Sequence, residues 1–157
     1  MKLVTIQEVR DHCRAEPEDD ALLTIYADAA EQAAEDFLNR RIFPRQTDLD
    51  TAIAGLPTTV AAAETAYGTA RDAARGLSGE ARCVAMQAAE ATWKRAVTQA
   101  RETALGIVVN PAIKDAVLLI AGHLYRNREA VITGTIASEI PEGPRTMLWP
   151  HRVGLGV

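Results

Sequence analysis

The sequence predicts an all-α protein: a small helical bundle with an inserted, Ala-rich antiparallel helical hairpin, and a short C-terminal helix after an extended loop. Three observations predict it. Alanine supplies 29 of the 157 residues, so the larger apolar residues are only about 30% of a chain that is 48% hydrophobic. Seven residues are aromatic, too few for a sandwich, whose strands favour β-branched and aromatic side chains. Apolar residues recur at spacings of three and four over most of the length. The size suits one domain with a real core: a helical core of residues 1–47 and 107–153, a hairpin at about 58–106, and a tail at 150–157.

The first helix opens at Thr5-Ile6-Gln7-Glu8, which matches the capping box, where hydroxyl and carboxylate satisfy each other's backbone donors. Ile6, Val9 and Cys13 follow at helical spacing, and Pro17 marks the expected end. Cys13 on that face reads as a buried small hydrophobe. Asp19 and Asp20 then cap a second helix over 21–39. Its core stripe reads Leu22, Tyr26, Ala29/Ala30, Ala33 and Phe37, widened by Leu23, Ile25 and Leu38. Asp28, Glu31, Glu35 and Asp36 fall on the other side as a solvated face. Pro44 closes the segment, because it disfavours helix at Phe43.

Residues 45–57 hold turn-formers around Leu49, Ile53 and Leu56, ending at Pro57. Beyond them the composition changes, with 17 alanines among the 54 residues 51–104. Two helices are expected, 58–75 and 79–106, joined by Gly76-Leu77-Ser78-Gly79, with Gly76 ending one and Ser78 capping the next. The seam of the second reads Cys83, Met86, Ala89, Trp93, Val97, Ala100, Ala104, Ile107. Asn110-Pro111 is a strong helix start. The stripe Ile113, Val117, Ile120, Leu124, filled out by Ala116, Leu118, Leu119 and Ala121, marks the central helix. After Val131 the pattern breaks, and 133–144 reads as an extended loop. Pro144 opens a last helix, Arg145–Trp149, stopped by Pro150.

The charge balance and motifs exclude more than they assign. The 17 basic and 21 acidic residues give −4, with no basic block to grip phosphates, which argues against a DNA- or RNA-binding module. Cys13 and Cys83 form neither a CxxC pair nor a disulfide framework. The start MKLVTIQEVR lacks the apolar region of a signal peptide, and Ala116–Gly122 is too short to cross a bilayer. A soluble protein made in a reducing cytosol is expected. No phosphate-binding glycine loop, HExxH, GxSxG or SxxK occurs, so no catalytic residue, metal ligand or cofactor site is assigned. His123 reads as a structural residue at a helix–helix contact, with a partner for each ring nitrogen. Arg126, Arg128 and Glu129 crowd the end of the central helix. Met147, Leu148 and Trp149 lie near a terminus that frays unless something docks it, and Trp and Arg are enriched at interface hot spots. Trp149 either folds onto its own core or docks on a neighbour.

Several runs carry a family likeness. Val4-Thr5-Ile6-Gln7-Glu8-Val9-Arg10, the helix end Phe37-Leu38-Asn39-Arg40-Arg41, the run from Pro111 to Ala130 with its His-Leu-Tyr-x-Asn-Arg-Glu core, and the ending from Glu139-Ile140-Pro141 to Val153 resemble the head–tail connector (portal adaptor) family of long-tailed phages and prophages. The likeness covers residues 1–45 and 107–153. The Ala-rich hairpin departs from it, since shorter members lack it or replace it with a brief loop. The resemblance implies a non-enzymatic part of the virion neck, without cofactors, made in the host cytoplasm. Copies would form a twelvefold ring below the portal protein, extend the channel for double-stranded DNA without binding it specifically, and dock a neck or tail-completion protein, with no membrane partner. It further implies that the loop and C-terminal segment reach a neighbour or the portal, which places Thr133, Glu139, Pro141, Arg145, Leu148, Trp149 and Arg152 with Arg126, Arg128 and Glu129 as candidate interface residues. Two other classes compete. A prophage-encoded helical regulatory or enzyme subunit needs a pocket where His123, Tyr125 and Arg126 converge with the acidic helix. A helix-turn-helix DNA binder needs a basic recognition helix, which the sequence lacks.

Overall fold

The computed structural model describes residues 2–127 and 142–154. Its elements run α1 (Ile6–Cys13), a 3₁₀ turn (Pro17–Asp19), α2 (Asp20–Leu38), β1 (Ile42–Phe43), α3 (Gln46–Arg75), α4 (Gly79–Ala104), β2 (Ile107–Val108), α5 (Pro111–Arg126), α6 (Glu142–Leu148) and a second 3₁₀ turn (Trp149–His151). The all-α class holds, with one two-residue strand pair added. The chain divides into two compact units, residues 1–46 with 107–157, and residues 47–106.

In the first unit, α1 begins as the capping box requires: Thr5 N donates to Glu8 Oε2 at 2.9 Å and Glu8 N to Thr5 Oγ1 at 3.3 Å. It ends three residues before Pro17's turn, because Arg14 turns left-handed (φ 54°) and Ala15 N returns to Arg10 O. Asn39 closes α2 in the same left-handed way. Asn110 caps α5 by accepting from Ile113 N at 2.9 Å, and Pro111 takes the first helical position. The core lies between α2 and α5. Leu23, Ala27, Ala30, Ala34 and Leu38 meet Ile113, Ala116, Val117, Ile120 and Ala121, with Val9 and Leu148 closing the ends. Alanines on α2 let the two axes approach closely. At Gly122, an added Cβ would stand 3.1 Å from the His12 ring, so glycine sets the spacing of α1 on α5.

The buried face of α2 is rotated from the expected one. Leu22, Tyr26, Ala29, Ala33 and Phe37 lie at the edge or outside, while Glu31 and Glu35 are 4% and 5% exposed. Of the four acids read as a solvated face, Glu31 and Glu35 are therefore interior, while Asp28 and Asp36 are exposed as expected. Glu31 Oε1 accepts from the backbone N–H of Lys2 (3.0 Å) and Leu3 (2.7 Å), with Val4 N at 3.4 Å. Three consecutive amides thus converge on one carboxylate, an anion nest turned inward. Glu35 accepts from Ile42 N (2.9 Å), Lys2 Nζ (2.7 Å) and an Arg41 guanidinium nitrogen (2.7 Å). The two acids tie the N-terminus and β1 to the middle of α2.

β1 and β2 pair in parallel, Ile42 with Ile107 and Phe43 with Val108. Ile107 N donates to Arg41 O at 2.9 Å and Val109 N to Phe43 O at 2.8 Å. Parallel strands require a crossover of a dozen or more residues, and α3 and α4 supply it. Ile107 is thus a strand residue, not the last position of the α4 seam.

In the second unit, α3 starts at Gln46 and passes through Pro57, where the sequence suggests a turn region. A proline inside a helix removes one backbone bond. The half-buried seam Leu49, Ala52, Leu56, Val60, Ala63, Tyr67 keeps its spacing across it, so side-chain packing overrides the local break. The Tyr67 and Trp93 rings stack at 5.5 Å between centroids, joining α3 to α4 as the expected hairpin. Ala74 and Ala89 are buried on the two helices, while Cys83 and Ala104, assigned to the seam, are exposed. The last helix also differs: α6 starts at Glu142, ahead of Pro144, and ends at Leu148.

Two predictions follow from this architecture. Burial would raise the Glu35 pKa, but the bonds from Lys2, Ile42 N and Arg41 outweigh it and hold the carboxyl below the usual range. The folded-state pKa is below the unfolded one, so this stabilisation is fully present above the ordinary Glu value of about 4.3 and is lost progressively as pH falls from there through the lower folded-state pKa. Glu8 beside Lys114, and Asp20 beside Arg10, shift in the same direction. Urea midpoints should fall steeply below about pH 4.5, and Glu35→Gln should be less stable at pH 7 with a shallower acid limb; parallel limbs for both proteins would exclude Glu35 as a source. Second, replacing 47–106 by about twelve Gly/Ser residues should leave a helical core that melts cooperatively in circular dichroism. An unfolded product would mean that the hairpin is required for folding.

Candidate functional site

The C-terminal segment is fastened to α2 where the sequence leaves a loose tail. Leu148 is wholly buried and Pro144 is buried beside it. Past Leu148, Val153 N donates to Leu38 O at 3.0 Å and Asn39 Nδ2 to Val153 O at 3.1 Å. An Arg40 guanidinium nitrogen reaches His151 O at 3.3 Å, and Asn110 Nδ2 lies 3.2 Å from His151 Nε2. The residues that cap α2 and α5 therefore also hold the tail.

This anchoring builds an aromatic and cationic patch. The Phe37 and Trp149 rings stand 6.3 Å apart at 50°. The Arg152 guanidinium lies 5.1 Å from the centre of Phe37 and 5.8 Å from that of Trp149, within cation–π range of both. Its Nε is buried without a hydrogen-bond partner among the described residues. Burial lowers the pKa of Arg40 at the edge of the patch. Trp149 keeps 44% of its surface exposed. Trp149 thus packs in part on its own chain, tilted against Phe37 and beside Arg152.

The same unit contains a cleft of about 420 Å³ lined by His12, Gly122, His123, Arg126, Asn127 and Pro144. His123 is exposed here, with Asn127 Nδ2 3.2 Å from its Nδ1. It is not at a helix–helix contact; His12 occupies the α1–α5 contact instead, against Gly122. Tyr125 turns away from the cleft and donates to Asp19. Of the convergence that a regulatory or enzyme subunit needs, only His123 and Arg126 share the cleft, without Tyr125 or the acidic helix. Cys13 is half-buried, and burial pushes its thiol pKa up, against nucleophilic use. No group of three or more His, Cys, Asp or Glu among the described residues could hold a metal, and no described helix is long and apolar enough to cross a membrane.

Of the candidate interface residues, Trp149 and Arg152 come together. Arg126 sits apart on the cleft, and Arg145 pairs loosely with Glu142 at 3.6 Å. Leu148 belongs to the chain's own core and offers no free surface. Arg128, Glu129, Thr133, Glu139 and Pro141 lie outside the described residues. Phe37 and Arg40 escaped the sequence reading as patch residues. The available signal was that α2 carries two apolar stripes, only one of which a single core can cover.

The first unit is thus a helical core with a fastened terminus and a half-open aromatic–cationic patch. Residues 3–76 match the model of the family described as phage gp6-like head-tail connector protein, and the match supports a head–tail connector family and a phage structural connector role for this chain. The matched stretch includes α1, α2 and all of α3, so the Ala-rich region is not outside the family pattern up to residue 76. It does not reach the run from Pro111 to Ala130 on which the resemblance leaned most. Comparisons with curated proteins and with solved structures gave no match.

The patch yields a direct check. In a Trp93→Phe background, Phe37→Ala should shift Trp149 emission to longer wavelength and lower stability by about 2 kcal/mol. Unchanged emission would mean that Phe37 does not hold the ring.

Proposed function

We propose that the protein is a neck component of a tailed phage or prophage whose copies form a twelvefold ring on the portal protein. The ring extends the DNA channel and presents a platform for a neck or tail-completion protein. The observation that carries this reading is the family match over residues 3–76. The physical features agree with it. A net charge of −4 and the lack of a basic block suit a conduit through which DNA slides. A patch such as Trp149 with Arg152 has the composition of an interface hot spot. The contacts of such a ring are heterologous, one surface of a subunit meeting a different surface of the next.

Light scattering on a sizing column, over a wide concentration range and with the purified cognate portal, tests the reading. A mass of twelve subunits, or co-elution with the portal, is expected. A dimer that ignores the portal would overturn it. Trp149→Ala and Arg152→Ala should weaken co-elution about ten-fold each, as expected of hot-spot residues.

A further inference from the structure

We infer that the tip of the α3–α4 hairpin of one copy docks on the outward stripe of α2 of a second copy. The inference rests on the proposed ring and names the two surfaces that join. The inner face of α2 is covered by α5, while Ile25 and Ala29 are exposed on the opposite side, among Asp28, Gln32 and Asp36. Tyr26, Ala33 and Phe37 are half-buried at the edge beside them, and Trp149 extends that edge through its contact with Phe37. Ile25 is 63% exposed. An apolar stripe on a helix is normally covered, and the described residues of this unit leave Ile25 and Ala29 open. The hairpin has the complementary excess. Near its tip, Leu77 in the connecting turn is 46% exposed and Val84 in the second turn of α4 is 57% exposed.

Charge selects between occupants of the stripe. One flank of the α2 stripe is acidic, with Asp28 and Asp36, and Glu18 lies exposed just ahead of the helix. Two copies packed through α2 in antiparallel fashion would bring like flank to like flank, which is repulsive. At the hairpin tip, Arg82 is exposed beside Cys83 and Val84, and no ion pair ties it among the described residues. An apolar tip bearing an arginine therefore fits an apolar stripe flanked by aspartates. The contact is heterologous, the kind that a closed ring requires. It also gives the long crossover between β1 and β2 a purpose beyond linking them.

The native thiol of Cys83 permits a test on the full-length chain. With Cys13→Ala to remove the second thiol, Ala29→Cys should cross-link to Cys83 of another copy through a short bismaleimide. The expected result is a ladder of chain multiples on a denaturing gel, run on the protein alone and on its portal-bound form. The ladder should vanish in Cys83→Ser and in Arg82→Glu, and return when Asp36→Arg is added to Arg82→Glu. A cross-linked dimer that persists in Cys83→Ser, where each chain keeps a single thiol at position 29, would assign the stripe to α2–α2 contacts and overturn the inference. A cross-link confined to one chain would overturn it as well. Assembly on light scattering without a ladder would leave the ring standing and remove this docking mode. A chain that neither assembles nor cross-links, alone or with portal, would remove both.

Discussion

Two buried carboxylates on one turn of α2 fix the first unit. Glu31 and Glu35 are four residues apart, so they stack on one helix face, and together they receive four backbone amides from the N-terminus and β1. An ionised carboxylate taken out of water costs several kcal/mol unless hydrogen bonds replace the solvent. Here the replacement comes from chain segments that would otherwise leave their own amides unpaired. The dependence is mutual: without Glu31, the amides of Leu3 and Val4 become buried donors with no acceptor, at about 1–3 kcal/mol each. Leu3 and Val4 enter the core because the amides between them are held. Ile42 is placed to pair with Ile107 because Glu35 holds its N–H.

This arrangement explains what was legible in the sequence and what was not. Local chemistry was readable: the Thr5–Glu8 box, the Asn110-Pro111 start and the Gly76–Gly79 turn stand where residue type requires them. The inward side of α2 was not. Leu22, Tyr26, Ala29, Ala33 and Phe37 make as good a stripe as Leu23, Ala27, Ala30, Ala34 and Leu38, and hydrophobicity alone favours the side without glutamates. The glutamates face inward because their donors come from 27 to 33 residues upstream and from the residues just past the helix. That information is tertiary. β1 and β2 were invisible for a similar reason: two-residue strands have no period, and their pairing spans the whole hairpin. Pro57 was misleading because its local penalty was weighed without the seam that continues on both sides.

The candidate site shows the same division. Trp149 and Arg152 were recognisable as interface types. Their base, Phe37, was assigned to the core because the stripe to which it belongs was assigned there. Fixing the side of α2 moves Phe37 from the centre of the core to its edge, where it is half-buried and still meets Trp149. Leu148 moves the opposite way, into the core, where it holds α6 against α5 and leaves the next residue at the edge.

The two sides of α2 have separate tasks, and this bears on when a ring can form. The inner side is held by charge-assisted hydrogen bonds within one chain, so the fold does not depend on what covers the outer side. The outer stripe is short, with Ala29 and Ala33 between the larger Ile25, Tyr26 and Phe37. Obligate subunits bury upwards of about 2,000 Å² in strongly apolar interfaces, which one helix stripe and one hairpin tip do not supply. A pairwise contact of this size gives modest affinity, and closing a ring multiplies it by making the last contacts intramolecular. Under the proposed function, a subunit would then fold and persist alone, and assemble when a symmetric template raises its local concentration. Nothing in the core has to rearrange for that step, because Glu31 and Glu35 have already satisfied the segments that an incoming neighbour would otherwise have to order.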